Sequence, residues 1–455
     1  MPILPIDTGR YGTPEMKRIF EEETRVQKML DVEAALAWAH AEVGNVPRKD
    51  AKTISEKAST RYVKLERVRA IESQIKHSVF SLVKALAEQC GSSSAYVHLG
   101  ATSSDIIDTA MALILRDAIG LIEQKLDDLE GLLINIADKH KKTVMIGRTH
   151  GQHALPITSG FKFAVWMREV ARHIQRIHLC RERLLVGKMS GAVGTQAGLG
   201  QHAAKIQELV MKTLGLSPAD ISNQIVQRDR YAELVCLLAL VASSLENFAT
   251  EIRELQRPEI GELFEAFEAG KQVGSSTMSH KRNPELCERV CGLSRIVRSL
   301  VAPAFENMVT WHERDLTQSS AERFILPEAC ILTDYLLFLM NGILTNLRVD
   351  EQRMLRNMEV TEGRNMSEAV MIALTRKRMN RQEASELLRE LTIESEKRNC
   401  HLNDVLANDC KIRKLLTESE IANTLDPQNY LGTTIDQVEL MVKRTLRERV
   451  ARGVR

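Results

Sequence analysis

Leu115-Arg-Asp-Ala-Ile119-Gly-Leu-Ile122-Glu-Gln-Lys-Leu126-Asp-Asp-Leu129-Glu-Gly-Leu-Leu133-Ile-Asn-Ile136 is the stretch that decides the fold class. Its numbered apolar residues advance by alternating steps of four and three, which lays them on one stripe of a long helix. Leu234, Leu238, Val241, Leu245, Phe248, Ile252 and Leu255 repeat the pattern. This second helix is also apolar along its flank, from Val235 through Ala242, so a single seam would leave much of it wet. It belongs inside a multi-helix bundle, and helices apolar on more than one side suggest a core shared between subunits. No proline interrupts the chain between Pro47 and Pro156, so long helices are permitted. Apolar residues make up 44% and aromatic ones only 4%, which favours helix over sheet.

A chain of 455 residues exceeds what one core usually supports. The expectation is an all-α fold: an N-terminal helical domain over 1–108, a central long-helix bundle over 109–358, and a C-terminal helical domain over 359–455. In the last of these, Arg364 to Lys377 and Arg381 to Arg398 read as amphipathic helices.

Charge narrows the function. With 62 basic and 60 acidic residues the formal charge is +2, so no overall field selects nucleic acid or an anionic membrane, and any anion must be bound locally. Met1 to Asp7 lacks the basic flank and apolar stretch of a secretory signal, and no window reads as a spanning helix. Eight cysteines are scattered without a Cys-x-x-Cys pair. Cys287 and Cys291 stand four apart without obvious partner ligands, so no metal is expected and reduced thiols in a cytoplasmic protein are the simpler reading.

Three interruptions punctuate the helices: Cys90 to Asp105, Lys142 to Pro156, and Gly270 to Pro284. A fourth, Gly187 to Gly200, holds five glycines but matches neither phosphate-loop nor dinucleotide patterns, and reads as a flexible turn. The third contains Gly274-Ser275-Ser276-Thr277-Met278-Ser279-His280-Lys281-Arg282-Asn283-Pro284. Small hydroxyls, cations and an amide packed between glycine and proline suit an anion: amides beside Gly274 can approach a carboxylate, Lys281 adds charge, and Asn283 adds paired donors. An ordinary solvated turn has a similar composition, and the residues alone leave both readings open.

That segment resembles the signature of the fumarase, aspartase and argininosuccinate lyase superfamily, and its Lys-Arg-Asn-Pro ending resembles adenylosuccinate lyases or carboxymuconate cycloisomerases. Arg148-Thr-His150-Gly-Gln-His-Ala-Leu-Pro156 is similar to the histidine motif of adenylosuccinate lyases, whose counterpart in cycloisomerases generally lacks the first histidine. Gln227-Arg-Asp-Arg230, Trp311-His-Glu-Arg-Asp315 and Ser319-Ser-Ala-Glu-Arg323 are similar to that family too. The likeness runs from Arg10-Tyr11 to about Arg364 and weakens beyond.

The resemblance implies a fumarase/aspartase-like homotetramer whose active sites each combine segments of three subunits, working without cofactor. It implies β-elimination of fumarate from adenylosuccinate, giving AMP, and from succinyl-aminoimidazole carboxamide ribotide. By motif position Ser275 is the base, His150 the general acid, and His77 a second histidine that helps place the substrate, with Lys76 and Ser78 beside it. Lys281 and Asn283 would take charge spreading onto carboxylate oxygens, and Ser276 and Arg282 would bind substrate beside them. Thr102 and Ser103 would bind a carboxylate at a helix start, while Ser104 or Asp105 serves as an ordinary cap. Gln224 matches a contact to the succinyl part. Arg10, Tyr11, Arg314, Ser319, Ser320 and Arg323 would hold the nucleotide, and the guanidinium fork suits phosphate.

Two positions depart from the pattern: Ser78 stands where aspartate is common, and Ser279 where proline is. The second removes a fixed φ and predicts altered loop closure. Another superfamily lyase or cycloisomerase is the alternative enzyme, and a catalytically retired structural homologue is the alternative from another class.

Overall fold

The computed structural model describes residues 4–266, 277–278 and 280–454. The chain is all-α. Its longest helices are Ser103–Lys139, Ser159–Leu184, Asp229–Gln256 and Thr317–Thr345. Along the first, Leu115 to Leu133 of the expected stripe are at most 1% exposed, while Ile136 is only half-buried. All seven stripe residues of Asp229–Gln256 are at most 2% exposed. On its flank Val235 and Ala242 are buried too, while Leu240 is exposed. Each fully buried Leu or Ile contributes about 1.5–3 kcal/mol, so these stripes drive the fold far more than helix propensity does.

One expectation needs correction. Asp229–Gln256 and Thr317–Thr345 are long and apolar enough to cross a membrane, yet 61% and 72% of their apolar windows lie buried within the fold. Core helices buried all round reach the same hydropathy as spanning ones.

The chain divides into two compact units. The first comprises Met1–Leu126, Arg172–Glu246 and Val290–Leu339. Here the Glu22–Glu42 helix buries Leu30, Val32 and Leu36 against Arg48–Lys57 and Ala203–Leu214. The second unit comprises Asp127–Ala171, Asn247–Arg289 and Met340–Arg455. Within it Ser367–Arg376, Arg381–Arg398 and Glu418–Leu425 enclose a small core of Val370, Leu388, Leu406 and Ile421, and Trp166 stacks on Phe248 with ring centroids 4.6 Å apart. The two helices foreseen near the C-terminus are present.

The Lys142 to Pro156 interruption is not an irregular loop. β1 (Val144–Thr149) and β2 (Gln152–Thr158) form an antiparallel hairpin closed by His150 and Gly151, at φ +54° and +74°. Two successive positive φ values make the tight turn whose twist matches paired strands. Val144, Met145 and Ile146 are buried and anchor the hairpin base. Elsewhere β3 (Val186–Gly187) pairs with β4 (Ser217–Pro218), and β5 (Leu263–Phe264) pairs with β6 (Arg348–Val349).

Candidate active site

In the first unit a buried carboxylate organises the start of the Ser103–Lys139 helix. Asp105 Oδ2 accepts the Thr102 N–H at 2.8 Å and the Gly191 N–H at 3.1 Å, while Oδ1 accepts the Ser190 N–H at 2.9 Å and the Lys188 ammonium. Asp105 and Lys188 are both fully buried. Thr102 is therefore the cap position and Asp105 reaches back to it from the third helical residue, a half of the reciprocal capping box. This differs from the expected cap at Ser104 or Asp105. The Gly187 to Gly200 stretch, foreseen as a flexible turn, is fastened by the same carboxylate, and Gly100 lies so close to Gly198 that a Cβ on it would stand 2.5 Å from the Gly198 carbonyl oxygen.

Lys76, His77 and Ser78 join two helices. Lys76 ends Leu65–Ile75 in the left-handed region at φ +57°, and His77 caps Ser78–Cys90 with its Nδ1 accepting the Phe80 N–H at 3.1 Å. That bond leaves Nε2 as the proton-bearing nitrogen of a neutral ring. His77 is exposed, and its cap role does not depend on the missing aspartate at Ser78.

The residues expected to hold the nucleotide lie on a few elements of the first unit. Arg10 lies 5.9 Å from the Tyr11 ring, and Tyr11 packs on Tyr335 at the same separation. Thr13 Oγ1 donates to buried Asp334 at 2.5 Å, which ties the Arg10-Tyr11 segment to Thr317–Thr345. At the start of that helix Ser319 and Arg323 stand four apart on one face, while Asp315 caps the Thr317 N–H at 2.7 Å and the Ser319 N–H donates to the Leu316 carbonyl at 3.1 Å. Burial and then the charge of Arg323 lower the pKa of Arg25, the mark of two guanidiniums sharing a neighbourhood. Arg314 donates to Gln224 Oε1 at 3.0 Å, and Gln224 Nε2 donates to the Ala192 carbonyl at 2.8 Å. Arg228 does not face solvent: it is buried between Asp108 at 2.9 Å and Glu322 at 2.6 Å, and burial raises the Glu322 pKa against the pull of Arg228.

In the second unit His150 sits exposed at the hairpin tip. Two residues before it, Arg148 grips fully buried Glu262 with two bonds of 2.9 and 2.7 Å. Ser275, Ser276 and Ser279 lie outside the described residues. Lys281, Arg282 and Asn283 line a cavity of about 820 Å³ together with Arg253, Arg257 and Arg353. The stem of that segment is clamped: Glu265 accepts the Leu286 and Cys287 N–H groups at 3.0 and 2.9 Å, and Gln256 accepts the Glu265 N–H at 2.9 Å while donating to the Arg282 carbonyl at 3.2 Å. Burial raises the Glu265 pKa, with the two helix-start amides opposing.

Comparison with known proteins identifies the family. Residues 9–298 match a family model described as lyase, and residues 363–441 match one described as adenylosuccinate lyase C-terminus. The adenylosuccinate lyase of Pyrococcus horikoshii is 52% identical over 97% of this chain and 98% of its own. That of Methanocaldococcus jannaschii is 46% identical over 97% and 96%. The chain belongs to the adenylosuccinate lyase family. Among solved structures, the 3-carboxy-cis,cis-muconate lactonizing enzyme of Pseudomonas putida superposes with a TM-score of 0.89 at 35% identity, covering 98% of this chain and 99% of that one. The fold is thus common to adenylosuccinate lyases and to enzymes of other chemistry, and the sites on it must discriminate.

Several organising residues were absent from the sequence reading. Asp105 was read there, but as an ordinary cap, although Thr102-x-x-Asp105 has the capping-box spacing of its bond back to Thr102. Lys188, Arg25, Glu262 and Glu265 had no signal, because a lysine or carboxylate in a linear sequence reads as solvated until folding buries it.

Proposed function

We propose that the protein is a carbon–nitrogen lyase that removes fumarate from adenylosuccinate, giving AMP, and from succinyl-aminoimidazole carboxamide ribotide, within a purine-synthesising cytoplasm. The observation that carries this reading is 52% identity to an adenylosuccinate lyase across nearly the whole of both chains. Retention of Ser275, His150, His77, Lys281 and Asn283 supports an active enzyme over a retired homologue.

Ser275 takes the proton next to the carboxylate, Lys281 and Asn283 accept charge developing on the carboxylate oxygens, and His150 protonates the departing nitrogen. His77, with Lys76 and Ser78 beside it, orients the substrate, and Thr102 and Ser103 bind its carboxylate. Gln224 contacts the succinyl part, Ser276 and Arg282 flank the reacting carboxylates, and Arg10, Tyr11, Arg314, Ser319, Ser320 and Arg323 hold the nucleotide. Histidine suits the acid role because its ordinary pKa lies near neutrality.

The active form is a homotetramer with sites shared between subunits. His77, His150 and Lys281 are each exposed on the single chain. Val309, Trp311, Leu316 and Phe324 are 62–74% exposed, an apolar surface of the kind association covers. The test is an ultraviolet assay of fumarate formation with adenylosuccinate and, in parallel, argininosuccinate. Turnover of the first alone is expected, and Ser275→Ala abolishes it. Turnover of argininosuccinate, or activity surviving Ser275→Ala, would overturn the substrate or the base assignment respectively.

A further inference from the structure

The His150 turn is exposed on the single chain. It is a two-residue tip in the left-handed region, exposed to solvent, and the hairpin beneath it is irregular. Ile146 pairs with Pro156 and Arg148 with His153, so β2 carries one residue more than β1 between these pairs. Such a bulge locally breaks the ladder, and the tip is not held in line with the buried base by strand pairing alone. Gly147 accommodates the distortion, since a Cβ there would stand 2.8 Å from the Leu155 carbonyl oxygen.

Beyond the bulge the strand end is anchored by the Arg148 fork on Glu262. Glu262 is itself immobilised. Its carboxylate also accepts from Asn357 Nδ2 at 2.7 Å, its N–H donates to the Leu255 carbonyl at 2.9 Å, and its own carbonyl accepts the Asp350 N–H at 2.9 Å. The last residues of Asp229–Gln256 and the cap of Glu351–Met358 therefore fix the Glu262 backbone from two sides, and Asn357 holds its carboxylate. That carboxylate fixes, through a planar two-point bond, the strand end from which His150 projects.

We propose that Glu262 is a positioning residue for the general acid: through Arg148 it sets the orientation of the His150 turn. The proposal rests on the assignment of His150 as the acid. A buried ion pair is weak evidence for a stabilising role, since uncharged residues often replace one at no cost. Geometric control of a reacting group is a different matter, because a misplacement of about 1 Å can cost about 10²-fold in rate.

The experiment is a double-mutant cycle on the full chain, using adenylosuccinate and enough enzyme to follow residual rates. Glu262→Gln keeps the shape of the side chain and removes its charge. Its kcat falls by about 10²-fold, with KM held. In the His150→Gln background the same substitution produces no further loss, because there is no longer an acid to misplace. Arg148→Lys, which keeps the charge but loses the fork, shows the same pattern and serves if Glu262→Gln does not fold. An equal fold-loss with and without His150, or a wild-type kcat in both variants, overturns the positioning role while leaving the acid assignment intact. Wild-type kcat in His150→Gln alone overturns the acid assignment, and the proposal falls with it.

Discussion

Replacing Lys188 by Met isolates the energetic role of the buried carboxylate at the start of Ser103–Lys139. Methionine roughly fills the space of the lysine stem but leaves Asp105, which has no solvent exposure, without the ammonium bonded to it. Three N–H groups remain on the carboxylate, from Thr102, Ser190 and Gly191. Breaking a buried pair costs about 3–5 kcal/mol, and the surviving amides place this case at the low end, at about 3 kcal/mol. With a urea slope of about 3 kcal/mol per molar, that loss moves the unfolding midpoint down by about 1 M. Protein concentration must be fixed, since the proposed association of subunits would add to apparent stability. Lys188→Met combined with Asp105→Asn removes both charges and should recover part of the shift. A single-variant shift below roughly 0.3 M, about 1 kcal/mol on the same slope, would refute the view that Lys188 compensates Asp105.

Two further predictions concern other parts of the first unit. Gly12 adopts φ +98°, and a Cβ there would stand 2.7 Å from Ile331 Cγ2, so Gly12→Ala should displace the Arg10-Tyr11 segment. The expected result is a raised KM for adenylosuccinate with kcat less changed, on a strain of about 1–3 kcal/mol, and an unaltered KM would refute it. For His98, burial opposes protonation, but the Glu33 bond at 2.6 Å, the Glu33 charge and the field of Asp105 outweigh it and raise the pKa. A folded pKa above the unfolded one means stabilisation that is complete below about pH 6.5 and is lost as pH rises through the raised value. Glu33→Gln should therefore be most destabilised relative to the unaltered protein below about pH 6.5, with the gap narrowing at higher pH. Urea melts across pH and a His98 NMR titration check this, and a pH-independent gap would contradict it.

Periodicity alone made the helices legible. The stripes at Leu115 to Leu133 and Leu234 to Leu255 are buried because a 3.6-residue repeat admits one arrangement that keeps those side chains dry. The hairpin was missed for the converse reason: Val144 to Ile146 is too short a run to show a period, and only the positive φ of His150 and Gly151 reveals the turn. The motif residues were legible as chemical types, and the family likeness supplied the roles proposed for them. Their supports were not, since Asp105 with Lys188, and Arg148 with Glu262, are separated by 83 and 114 residues along the chain.

Sequence by itself therefore determined the all-α class and the family, and offered the candidates for the chemistry, because side-chain type and local spacing are properties of the unfolded string. Tertiary structure decided which charges are buried and which of them pair. Burial and pairing arise only when segments far apart in sequence meet, and the same lysine or glutamate is a solvated surface charge or a fixed anchor according to what folds over it.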